Sequence, residues 1–234
     1  MCRVQRSILV FLNFLCFSSS AFCSVEDGLT AYSKKNYTLA VKEFEKSSDR
    51  GDVQAIHYLA SMYYQGYGVK KNLAKSAALF TQSANQNYAL SLSNLAVMYS
   101  KGEGVKKDME KSWEYQIKAA QVGDAQSQFN LGQMYRKGEY VQQSFPKALL
   151  WYLKSAEQFH TPAYNEIGLL YAQGLGIKKD FIIGYAWIYL AAESGNSEAK
   201  LNLKNFDQIL DSAQKQQGQT IAKSILLQYK ESEK

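Results

Sequence analysis

The chain has 234 residues, 46% of them hydrophobic, with 27 basic and 21 acidic side chains and a formal net charge of +6. That is enough apolar material for a sizeable core, and only two prolines interrupt it, so long helical stretches are permitted. The charge is mild and the lysines are spread along the chain in pairs. This argues against the concentrated basic face of a nucleic-acid-binding protein, and no nucleic-acid partner is expected.

Met1 to Ser7 carries Arg3 and Arg6 with no acid, Ile8 to Phe17 is almost wholly apolar, and Ser18 to Cys23 is mostly small residues. That order is the pattern of a secretory signal peptide over residues 1–23, with an apolar run well short of the roughly 20 residues a spanning helix needs. A secreted or periplasmic mature chain is therefore expected, without an integral membrane segment; a lipid anchor through Cys23 is the lesser alternative, since Phe22 fits poorly beside a modified cysteine. Cys2, Cys16 and Cys23 all leave with this segment, so the mature chain is expected to fold by packing alone, without disulfides or thiolate chemistry. Losing Arg3 and Arg6 leaves 25 basic residues against 21 acidic, a mature charge of +4.

The rest of the chain repeats. Tyr63, Tyr99, Tyr135 and Tyr171 are spaced by 36 residues, as are Gly66, Gly102, Gly138 and Gly174. Ala84, Ala120, Ala156 and Ala192 keep the same step, as does the series Leu59, Leu95, Leu131, Ile167 and Leu203. Residues 24–51 read as a shorter opening unit, followed by repeats over 52–87, 88–123, 124–159 and 160–195, and by a partial repeat with capping helices over 196–234, where Gly218 is expected to break the helix. Within each unit, apolar residues at helical spacing (Ala55, Leu59, Met62) predict a first helix. A glycine stops it, since only glycine takes the left-handed C-terminal conformation without a steric penalty. Asn72, Asp108, Ser144 and Asp180 are the expected N-caps of the second helices. One such hairpin cannot bury its own apolar stripe, so the units must stack into an all-α solenoid of helix–turn–helix repeats.

The motif Leu131-Gly132-x-x-Tyr135-x-x-Gly138, followed by Lys147-Ala148-x-x-Trp151-Tyr152-x-x-Ser155-Ala156, resembles the Sel1-like repeat, a relative of the tetratricopeptide repeat. Gly102-Glu103-Gly104-Val105-x-x-Asp108 matches its loop, while Tyr140 departs from it at the second loop glycine. The resemblance covers about 200 residues. It implies a right-handed α/α superhelix whose first helices line a concave groove, and a bacterial adaptor that binds a protein or peptide.

The chemistry-bearing motifs are sparse. His57 and His160 stand alone, with no clustered acids to build a metal site, and no cofactor is expected. Ser197-x-x-Lys200 and Ser212-x-x-Lys215 have the spacing of a serine β-lactamase nucleophile and its lysine, but the companion motifs are absent, so a cell-wall or β-lactam-binding hydrolase is the lesser reading and an enzyme is not expected. An architectural envelope protein is a further alternative. By the tetratricopeptide pattern, first-helix residues that avoid the core face the groove. That selects His57, Tyr58, Tyr64, Asn94, Lys101, Gln126, Phe129, Asn130, Gln133, Arg136, Lys137 and Asn165 as the binding surface of an expected monomer. Amides there can both donate to and accept from a ligand backbone, and the basic groups can neutralise a carboxylate.

Overall fold

The structure, a computed structural model, describes residues 25–232; the expected signal segment 1–23 and all three cysteines lie outside them. The described residues form helical hairpins in series: α1 (Val25–Ser33) with α2 (Tyr37–Ser48), α3 (Val53–Gln65) with α4 (Leu73–Ala84), and α5 (Ala89–Lys101) with α6 (Met109–Gln121). Then come α7 (Ala125–Lys137) with α8 (Phe145–Glu157), α9 (Thr161–Gln173) with α10 (Phe181–Glu193), α11 (Ser197–Asn205), a 3₁₀ turn at Phe206–Gln208, and α12 (Ser212–Ser232). In the five hairpins the first helix packs on the second, and the second packs on the first helix of the next unit, which is the all-α solenoid expected.

The caps explain the boundaries. Asn72, Asp108, Ser144 and Asp180 each accept a backbone N–H of the following helix, as their residue types require. Gly66, Gly102, Gly138 and Gly174 end the first helices in the left-handed conformation at φ between 73° and 81°. The loop is then closed by one repeated bond. The N–H of Asn72, Asp108, Ser144 and Asp180 donates to the carbonyl of Tyr63, Tyr99, Tyr135 and Tyr171 respectively, at 2.9–3.0 Å. The second loop glycine seats each unit on the one before it. A Cβ built on Gly104 would lie 2.2 Å from the Leu73 carbonyl oxygen, so only glycine lets the loop lie on the start of α4. Tyr140 occupies that place in the fourth unit at φ 65°, with its ring exposed and stacked against Trp113.

Core layers alternate between hairpins, with Phe44, Leu59 and Met62 in one, Phe80, Leu92 and Met98 in the next, and Tyr152, Tyr164, Ile167 and Ile188 toward the C-terminus. Each fully buried side chain of this size contributes about 1.5–3 kcal/mol.

The C-terminal end departs from the repeat. Glycine at 218 does not break the chain: α12 runs through it, because the side-chain-free position is where the helix meets the Tyr185 ring, 2.6 Å from a Cβ built there. Helix α12 packs on α10. The outer positions of the second helices are Ala78 and Gln82, Glu114 and Lys118, Leu150 and Lys154 in the middle units, and all are exposed. In α10 the same positions hold Ala186 and Leu190, at 0% and 3% exposure. An apolar-all-round helix must be covered on every side, and α12 supplies the missing cover.

Candidate functional site

The face built by the first helices carries the candidate residues, and its two halves differ. At the N-terminal half, Tyr32, Tyr58, Ser61, Met62, Gln65 and Tyr67 line a cleft of about 210 Å³ between α1 and α3. A second cleft of about 120 Å³ lies between α3 and α5, lined by Tyr64, Asn94 and Val97 among others, and shares Ser61 and Gln65 with the first. Tyr64 donates its hydroxyl proton to Glu103 at 2.5 Å, with Lys71 held 5.7 Å from its ring centroid. The bond to Glu103 raises the phenol's pKa, because it favours the protonated form. Lys101 is exposed at the edge of this half.

In the C-terminal half the candidate polar groups satisfy one another. Gln126 donates to the Asn130 carbonyl oxygen at 2.9 Å. Arg136 donates to Gln133 through Nε and an η nitrogen at 3.2 and 3.1 Å, and its Nε stands 3.4 Å from the Glu166 carboxylate of the next unit. The expectation that Arg136 is open to a ligand carboxylate is corrected: Glu166 already holds it. Glu166 is mostly buried, which raises its pKa, and Arg136 works against that shift. Glu166 escaped the sequence reading although it lies 36 residues after Asn130. Lys137 is 3.7 Å from Glu139. Phe129 is half-buried, its ring 5.6 Å from Tyr152 and 5.3 Å from His160, so it serves packing more than the surface.

Two further placements are corrected. Asn165 is 2% exposed and accepts a hydrogen bond from Asn202 at 3.0 Å, tying α9 to α11 instead of facing the groove. His57 is 6% exposed, within about 5–5.5 Å of the rings of Tyr58, Phe80 and Tyr88. Its Nδ1 lies 2.9 Å from Ser91 Oγ; Ser91 gives its one proton to Ser83, and Ser83 donates to the Val53 carbonyl. The histidine must therefore donate from Nδ1, which makes it a structural link between units. Burial lowers its pKa to about 4, so it is neutral near pH 7. His160 is the N-cap residue of α9 and its pKa is also lowered by burial. Lys215 donates to Asp207 at 2.7 Å, so its ammonium is engaged away from Ser212. Among the described residues, no group of three or more His, Cys, Asp or Glu side chains could hold a metal ion, and no helix is long and apolar enough to cross a membrane.

No curated protein matches the chain. The Sel1 repeat family model matches it at residues 22–52, 53–88, 89–124, 125–158 and 161–196. Among solved structures, a Sel1 repeat protein from Oxalobacter formigenes is similar at 30% identity and a TM-score of 0.72, over 78% of this chain and 75% of that one. A protective antigen present in uropathogenic Escherichia coli strains, c5321, which displays an SLR fold, is similar at 27% identity and a TM-score of 0.72 over 86% of this chain; the match spans 45% of the antigen. Five matched repeats, the last four in phase with the tyrosine and glycine series, place the chain in the Sel1 repeat family.

Proposed function

We propose that the chain is an exported, non-catalytic scaffold that takes up a protein or peptide partner on the concave face of its first three units. The supporting observation is the asymmetry of the first-helix face. Tyr64 and Asn94 line one of two adjoining clefts there, and no side-chain hydrogen bond of Asn94 occurs within the described residues. Gln133, Arg136 and Asn165, by contrast, bond to other residues of the protein. A groove whose amides are unpaired offers an extended chain both donors and acceptors, while tyrosine faces supply amphipathic contact area. Export rests on the signal pattern of Met1 to Cys23 and places the partner in the envelope or outside the cell.

The test is capture from envelope and surface extracts by the wild type, by Tyr64→Ala/Asn94→Ala, and by Gln126→Ala/Asn130→Ala. Loss of the captured partner with the first pair and its retention with the second is the expected result. Equal capture by all three removes the N-terminal groove from the account. Fractionation is expected to find the mature chain outside the cytoplasm, shortened by about 23 residues.

A further inference from the structure

Among the described residues, lysines repeatedly cover aromatic faces: Lys75 stands 4.1 Å above Tyr63, Lys154 4.6 Å above Trp151, and Lys179 4.5 Å above Phe181. The three tyrosines that wall the cleft between α1 and α3 carry no such cation among the described residues. Tyr58 stacks one face on Phe44, with centroids 5.2 Å apart and planes 19° apart. Tyr67 stacks one face on Tyr37 at 4.7 Å and 16°. Internal stacking thus holds both rings where they line the cleft, with the His57 ring set edgewise to Tyr58 at 5.5 Å. Tyr32 is tilted 47° to Tyr67 with centroids 6.5 Å apart, so this pair opens as a wedge.

The remaining lining side chains are Ser61, Met62 and Gln65, none of them charged. Ser61 donates its proton to the His57 carbonyl at 3.1 Å, so only its oxygen lone pairs are left to offer a ligand. Aromatic faces carry the negative lobe of the ring quadrupole. The cleft is therefore electron-rich, uncharged and partly desolvated, the combination that favours a cation over a neutral or anionic guest. At about 210 Å³ it is smaller than the ~300–1,000 Å³ of a drug-sized site and suits one side-chain head group.

We infer that this tyrosine-walled cleft seats an organic cation presented by the partner: the guanidinium or alkylammonium end of an arginine or lysine, or a quaternary ammonium group. The inference rests on the groove reading and deepens it, by naming what the partner places at the junction of the first two units.

The experiment is an NMR titration of the chain with choline, with methylguanidinium, and with 3,3-dimethylbutan-1-ol, which has the shape of choline without its charge. Saturable shifts at Tyr58, Ser61, Gln65 and Tyr67 are expected with at least one cation, the neutral isostere binding at least about tenfold more weakly. The cation that binds more tightly identifies the class of head group. Tyr67→Phe keeps the π face and is expected to keep binding. Tyr67→Leu keeps apolar bulk without it and is expected to weaken binding about two- to fivefold, the size of one cation–π contact. Both variants alter an exposed loop residue, and an unchanged helical circular dichroism spectrum confirms the fold. No saturable binding of either cation in the tens of millimolar overturns the inference. So does equal binding of the neutral isostere, or a Leu variant that binds like the wild type. Partner capture that still depends on Tyr64 and Asn94 in those cases leaves the groove reading standing while the cation reading falls.

Discussion

Replacing Gly104 by alanine separates two costs that a loop glycine can carry. At φ +71° any side chain is strained, which costs about 1–2 kcal/mol. The added Cβ also lies 2.2 Å from the Leu73 carbonyl oxygen and 2.9 Å from the Ala74 nitrogen. Both are backbone atoms of the start of α4, so no side-chain rotation relieves the collision, and the loop must lift off the preceding unit. Displacements of this kind cost about 1–3 kcal/mol more. Gly51, at φ +84° with nothing within 4 Å of its Cβ, supplies the control, since Gly51→Ala incurs the conformational term alone. The two variants are expected to lose about 2–5 and 1–2 kcal/mol respectively in urea unfolding followed by circular dichroism. Equal losses would refute the claim that loop-on-helix contact, not the left-handed conformation, sets the register between units.

The remaining predictions concern the ends, the buried links and the polar half of the groove. Leu190→Lys is expected to cost at least about 3 kcal/mol, since it puts a charge beneath α12, whereas Leu150→Lys, on the outer face of α8 and 51% exposed, is expected to cost under about 0.5 kcal/mol in thermal melts. Because the folded pKa of His57 lies near 4, below its unfolded value of 6.5, its neutral form is the one the fold prefers. Its contribution is present above pH 6.5 and is lost as pH falls toward 4; wild type is expected to lose about 3 kcal/mol more than His57→Gln across that window, read as the difference in urea midpoints. Arg136→Ala leaves the mostly buried Glu166 without its cation and is expected to destabilise by about 1–3 kcal/mol, while Arg136→Ala/Glu166→Gln recovers part of that loss in the same melts.

The solenoid was legible because every unit faces the same steric demands, so the same residue types return every 36 positions. What the repeat does not carry was harder to read. His57 looked like a groove residue because its place between Ala55 and Leu59 leaves the apolar stripe of α3, yet the small-residue positions Ser83 and Ser91 give it a buried hydrogen-bonded path to the Val53 carbonyl. Period alone could not show that Arg136 meets Glu166, since each occupies a position filled by different chemistry in the other units. Gly218 suggested a break by its helix propensity, but the ring of Tyr185, distant in sequence, decides its place. The seat of α12 did leave a trace: Ala186 and Leu190 interrupt a series of outer positions that otherwise includes Gln82, Glu114, Lys118 and Lys154. Of the tyrosine-walled cleft only Tyr58 was legible, because the cleft joins the shortened opening unit to the next across a break in the period.

Site-specific photocrosslinking in cells tests the central claim most directly. A benzoyl-phenylalanine at Val97, in the second cleft and 43% exposed, is compared with one at Gln173 on the C-terminal half of the same face and one at Leu150 on the outer face. A discrete partner adduct from position 97 alone is the predicted result. An adduct from 150 or 173 with none from 97 would contradict the assignment of binding to the N-terminal half of the groove.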